Sequence, residues 1–125
     1  MSADLQGQRI LVVEDSPVVA DASEDMLADL GCIVIGPTGN MAFALQLAEE
    51  EEIDGAIVDI NIRGGKAFPV LRILERRGIP FILTSGYADW SMPPDWADRP
   101  RLAKPYTPNM LRESLAALLD RSTAA

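Results

Sequence analysis

The chain has 125 residues, 48% of them hydrophobic and 24% charged, with a formal net charge of −8. It reads as one soluble domain over residues 1–125, long enough to bury a core, and no apolar run approaches the roughly 20 residues that span a bilayer. Histidine is absent and cysteine occurs once, at Cys32, which excludes Ser/His and Cys/His nucleophile pairs, histidine or cysteine metal cages and an intrachain disulfide.

Carboxylates must therefore carry most of the chemistry. The acidic balance argues against direct contact with nucleic acid phosphates, so the expected partners are proteins or cations. The opening MSADLQGQ is a polar lead-in without the apolar core of a signal peptide. A reducing, cytoplasmic setting and no membrane insertion are expected.

RILVV, residues 9–13, reads as a buried strand ending at Glu14 and Asp15. Ser16 can cap the following helix, and Pro17 suits its first position. That helix shows Val18, Ala22, Met26 and Leu30 along one face and stops at Gly31. CIVIG, residues 32–36, is a second strand. A second helix follows over 40–51, with Met41, Ala44, Leu45 and Ala48 inward and the acidic run 49–52 as a solvated end.

Residues 55–60 form the third strand, followed by the glycine-bearing loop NIRGGK and a helix over about 67–77 that ends at Gly78. IPFILTSG, 79–86, is a fourth strand and RLA, 101–103, a short fifth. The last helix, 108–120, carries Leu111, Leu115, Leu118 and Leu119. Between them, ADWSMPPDWADRP (88–100) holds too many prolines for a full helix, so the fourth helix is expected to be short or irregular. Five strands alternating with helices imply a doubly wound parallel sheet of flavodoxin-like order 2-1-3-4-5 with helices on both faces.

One residue conflicts with this pattern. The stretch around the third strand, DGAIVDINI (54–62), reads as a strand covered on both faces, yet it holds Asp59, and an unpaired carboxylate there costs several kcal/mol, roughly. In this topology functional groups gather at the carboxyl ends of strands 1 and 3. Asp59 then meets Glu14 and Asp15, and three carboxylates in one crevice repel unless a cation or protons intervene. A hard, oxygen-preferring ion such as Mg²⁺ suits the set. Thr84 and Ser85 bring a hydroxyl to the same edge and Lys104 an ammonium, so the crevice can hold a metal and a phosphoryl group together.

The acidic pair Glu14-Asp15, Asp59 ending strand 3, the hydroxyl and small residue Ser85-Gly86, and the dipeptide Lys104-Pro105 occur in order at four strand ends. That constellation resembles the receiver domain of bacterial two-component response regulators over the whole chain. The resemblance implies that Asp59 accepts a phosphoryl group. Mg²⁺ would be held by Asp15, by Glu14 directly or through water, by Asp59, and by the backbone carbonyl of Asn61. Ser85 would donate a hydrogen bond to the phosphoryl group, with Thr84 as second choice, since counting from Pro80 favours Ser85. Lys104 would offset the charge, and Pro105 would follow a cis peptide bond.

PFILTSGY (80–87) and DINIRGGKAFPVLRILERRGIPF further resemble a subgroup of single-domain receivers whose fourth strand reads approximately PFxFATGY. Leu83, Thr84 and Ser85 depart from that pattern. Arg101 also stands where ordinary receivers place an aromatic switch residue. The switch is therefore expected to run through Gly86, Tyr87 and the segment to residue 100, loosely held and re-presenting Trp90 and Trp96 to a partner.

The implied donor is a sensor histidine kinase or a histidine phosphotransfer protein. The implied output is contact with a downstream protein target, because the chain ends at RSTAA soon after the last helix. The protein would catalyse only its own phosphorylation and dephosphorylation. Roles as a phosphorelay intermediate, a phosphate sink or a pseudo-receiver that works without phosphorylation stay open. An aspartyl-phosphate phosphatase would need an acid where Asn61 stands. A flavin module would need a phosphate-cradling loop where the acidic EDSPVV stands.

Overall fold

A computed structural model describes residues 5–63, 65–85, 96 and 98–124, with side chains as far as residue 120 apart from that of Ser85. The elements run β1 (Arg9–Val13), α1 (Pro17–Asp29), β2 (Ile33–Thr38), α2 (Met41–Glu50), β3 (Gly55–Asp59), β4 (Asn61–Ile62), β5 (Gly65–Lys66), α3 (Phe68–Arg76), β6 (Phe81–Ser85), β7 (Arg101–Ala103) and α4 (Pro108–Ala124). Five strands pair in parallel in the order β2-β1-β3-β6-β7. With the small antiparallel hairpin β4–β5 set aside, this is the flavodoxin-like order 2-1-3-4-5.

Period-2 alternation along the strands divides the core into two layers. Leu11, Val13, Ala56, Val58 and Leu83 face α2 and α3, where Ala44, Ala48, Val70, Leu71 and Leu74 meet them. Ile10, Val12, Ile57 and Ile82 face α1 and α4, against Leu27, Leu111, Leu115, Leu118 and Leu119. Every residue of β3 is buried, which is why its sequence runs apolar instead of alternating.

Several boundaries and faces differ from expectation. β2 extends through Thr38, past Gly36 (φ +93) and Pro37. An edge strand tolerates a proline because only one side of it pairs, and its register against β1 shifts between Leu11 and Val13. Helix α1 buries Ala20, Ser23 and Leu27, while Val18 is 79% exposed. Small side chains at 20 and 23 let the helix lie close on the sheet, and Ser23 is accommodated because it has a buried partner, Tyr106. The glycine loop after β3 is a two-stranded hairpin, too short to show any periodicity.

Trp96 covers the edge of the core in this structure. It is 2% exposed, with its ring 6.0 Å from that of Phe81. The Arg99 guanidinium stacks 5.2 Å from Phe81 and 5.4 Å from Trp96 and pairs with Glu75. The expected irregular fourth helix, with Gly86, Tyr87 and Trp90, lies outside the described residues. Among the described residues no helix is long and apolar enough to cross a membrane.

Candidate functional site

β1, β3, β6 and β7 end at one edge of the sheet, and β1 and β3 are neighbours there. Glu14 and Asp15 leave β1 just before Ser16, whose hydroxyl accepts a 3.5 Å bond from the Val19 N–H, and Glu14 Oε2 accepts the Ser16 N–H at 3.0 Å. Asp59 closes β3, and its Oδ1 accepts the Asn61 N–H at 3.1 Å. One carboxylate oxygen from each of Glu14, Asp15 and Asp59 lies within 4.8 Å of the others. Glu14 and Asp59 are 5% and 4% exposed.

Lys104, directly after β7, reaches this cluster. Its Nζ stands 3.0 Å from Glu14 Oε1 and 3.0 Å from Asp59 Oδ2. Burial raises the Glu14 pKa, and the Ser16 N–H and Lys104 only partly oppose it. Burial would lower Lys104, but its hydrogen bonds and charge attraction to Glu14 and Asp59 outweigh that and hold it above its usual value. The two partners shift in the same direction because one ammonium serves two carboxylates. It gains from both, while each carboxylate has only a share of it.

The structure thus brings together Glu14, Asp15, Asp59 and Lys104, with Asn61 beside Asp59. Thr84 stands opposite Asp59 in register and is buried, whereas Ser85 pairs with Ala103. The Ser85 side chain and residues Gly86 and Tyr87 lie outside the description. Arg101 is exposed and pairs with Leu83, two positions short of the strand end. The Lys104–Pro105 bond is cis.

Sequence reasoning missed the turn at residues 38–40. The Thr38 carbonyl accepts the Glu14 N–H at 2.9 Å, and a Cβ on Gly39 would lie 2.3 Å from Asp15 Cα. Asn40 caps α2 through the Phe43 N–H at 2.9 Å and bridges to Arg63. One turn therefore braces both the loop bearing Asp15 and the loop after Asp59. The only signal was a lone glycine before a cap residue. Ser23 and Tyr106, which bond behind Lys104, were also missed as a pair.

A doubly wound sheet whose central strand ends present three carboxylates to a partly buried ammonium is a receiver of two-component signalling. The chain belongs to the response regulator receiver domain family, whose sequence profile matches residues 10–116. It is 42% identical to SdrG from Sphingomonas melonis Fr1, with a TM-score of 0.80 over 94% of this chain and 99% of that one. The receiver domain of sensor histidine kinase PA1611 from Pseudomonas aeruginosa PAO1, which holds a magnesium ion in its active site cleft, is 26% identical, with a TM-score of 0.80 over 91% of this chain and 98% of that one. The nitrate/nitrite response regulator protein NarP of Escherichia coli (strain K12) is 29% identical over 72 residues, 57% of this chain and 34% of that protein. The chain spans about a third of the length of that curated relative.

Proposed function

We propose that this receiver accepts a phosphoryl group on Asp59 from the phosphohistidine of a sensor kinase or phosphotransfer protein. The observation that carries the reading is the Lys104 ammonium 3.0 Å from Asp59 Oδ2 inside a three-carboxylate cluster. An Asp59 oxygen attacks phosphorus, the P–N bond breaks, and its electron pair stays on the imidazole nitrogen. Lys104 balances charge on the transferring oxygens. Water later cleaves the acyl phosphate and regenerates the carboxylate, so the only reactions catalysed are the protein's own phosphorylation and dephosphorylation.

The donor set fits Mg²⁺. It is all oxygen, and its oxygens lie within 4.8 Å of one another, close to the roughly 4.2 Å between opposite ligands of an octahedral Mg²⁺. Asp15 and Asp59 would hold the ion, with Glu14 directly or through water and the Asn61 carbonyl. Bound there, it would neutralise charge on the phosphoryl oxygens. Ser85, with Thr84 as second choice, would donate to the phosphoryl group, and Gly86, Tyr87 and Arg101 would relay its arrival.

The match to SdrG over nearly the whole of both chains, together with PFILTSGY, supports placing this receiver with the PFxFATGY-like single-domain type. A cytoplasmic protein that signals through protein–protein contacts follows from that placement. Acetyl phosphate with Mg²⁺ tests the reading. Wild type should gain one phosphoryl mass and Asp59→Asn none; an adduct on Asp59→Asn at the wild-type level overturns the assignment.

A further inference from the structure

Ser23 and Tyr106 are polar members of an otherwise apolar packing between α1 and the segment after β7. Their hydroxyls lie 2.5 Å apart. Ser23 is 1% and Tyr106 8% exposed, with Leu27, Leu102 and Leu111 in the same cluster. Replacing both members of a buried hydroxyl pair by apolar groups of the same shape is nearly neutral for stability. What the bond supplies beyond packing is direction. A cleft of about 150 Å³ beside the ring, lined by Val18, Ala22, Met26 and Pro105, leaves open space next to Tyr106, so the hydroxyl bond adds to packing in setting where the ring sits.

The two ends of this bond lead into the site. Tyr106 follows Lys104 by two residues, and α1 begins two residues after Asp15. A single bond therefore ties the segment that carries the ammonium to the helix that the acidic pair leads into. Lys104 must place one nitrogen 3.0 Å from two different carboxylates, and a long, flexible side chain does that only if its backbone is held.

We propose that the Ser23–Tyr106 hydroxyl pair is the positioning element for Lys104, setting the reach of its ammonium to Asp59 without touching the reacting atoms. The inference rests on Asp59 being the phosphoacceptor. The test measures the rate of adduct formation from acetyl phosphate at saturating Mg²⁺ in wild type, Tyr106→Phe, Ser23→Ala, the double variant, and each of these combined with Lys104→Ala.

Each single variant should react at least about tenfold more slowly, towards the roughly hundredfold loss that a 1 Å misplacement of a catalytic group causes. The double variant should be no slower than either single, and none should have any effect once Lys104 is alanine. Mg²⁺ affinity, read from thermal protection, should not weaken, which separates a misplaced ammonium from a loosened site. Single variants that fold and react at the wild-type rate overturn the proposal, as does slowing that persists in the Lys104→Ala background or arrives with weaker Mg²⁺ binding. Wild type that takes no phosphoryl group brings down the Asp59 reading first, and this one with it.

Discussion

Lys104 and Asp59, 45 positions apart in the chain, meet ammonium to carboxylate at 3.0 Å at one edge of the sheet. The same ammonium is bonded to Glu14, so in this arrangement Lys104 supplies the positive charge that a divalent ion would bring to the cluster. Lys104→Met should therefore destabilise the metal-free fold, because it leaves two buried carboxylates without their partner. It should bind Mg²⁺ more tightly, by about tenfold for each 1.4 kcal/mol of lost competition, and accept a phosphoryl group more slowly. Thermal melts across a Mg²⁺ titration read the first two effects. A smaller Mg²⁺-induced rise in melting temperature than in wild type would contradict the competition.

Glu14 gives a signed pH dependence. Its folded pKa is raised, chiefly by burial, above the ordinary 4.5. A raised carboxyl contributes stability that is fully present below about 4.5 and is lost as pH rises through the folded value. The ionised side chain is thus a net cost to the metal-free fold at neutral pH. Glu14→Gln should melt higher than wild type at pH 7 without Mg²⁺, with the gap closing as pH falls towards 4.5. Mg²⁺ should narrow the gap at pH 7 by favouring the ionised form. A Glu14→Gln protein less stable than wild type at pH 7 and unchanged by acid would show that the Lys104 pair dominates instead.

Gly39 is required by close approach. A Cβ there would meet Asp15 Cα at 2.3 Å and Asp15 Cβ at 2.4 Å, distances that backbone must move to relieve. Gly39→Ala should cost about 1–3 kcal/mol, the usual penalty for overpacking. It should also weaken Mg²⁺ binding about tenfold, because the displaced group carries a ligand. Gly7→Ala is the contrast: its φ of +77 makes alanine strained, but nothing lies within 4 Å of the added carbon. Calorimetric Mg²⁺ titrations of the two variants should differ, and equal affinities would remove Gly39 from the site.

These residues also show which features a sequence can carry. Asp59 is legible because a strand covered on both faces has no place for a charge without a reason, and the strand order follows from short connections and right-handed crossovers. Gly39 is not legible, since a close approach belongs to two segments that are distant in the chain. Ser23 is not legible either: a buried serine on a helix depends on a partner distant in the chain, and the buried face of α1 runs through Ala20, Ser23 and Leu27 instead of Val18. The β4–β5 hairpin is too short for any period to register. Trp96 was obscured by its neighbours, because prolines around it suggested a loosely attached segment while a single aromatic can anchor one.

Trp96 yields the last prediction. It packs on Phe81, the first residue of β6, and four strand positions at about 3.3 Å each separate Phe81 from Ser85 at the other end. Arg99 covers both rings and is itself tied to Glu75. Trp96 is thus a fixed anchor away from the phosphoryl chemistry. Trp96→Ala should cost about 3–5 kcal/mol in denaturant unfolding, as large aromatic truncations in cores do. Where the variant is still folded, adduct formation on Asp59 should stay within a few-fold of wild type. Beryllofluoride with Mg²⁺ should leave the Trp96 indole as protected from exchange as before, because its described contacts, with Phe81 and Arg99, do not involve the site. Loss of that protection on activation would make Trp96 part of the moving surface and would return the switch to the aromatic pair that the sequence alone suggested.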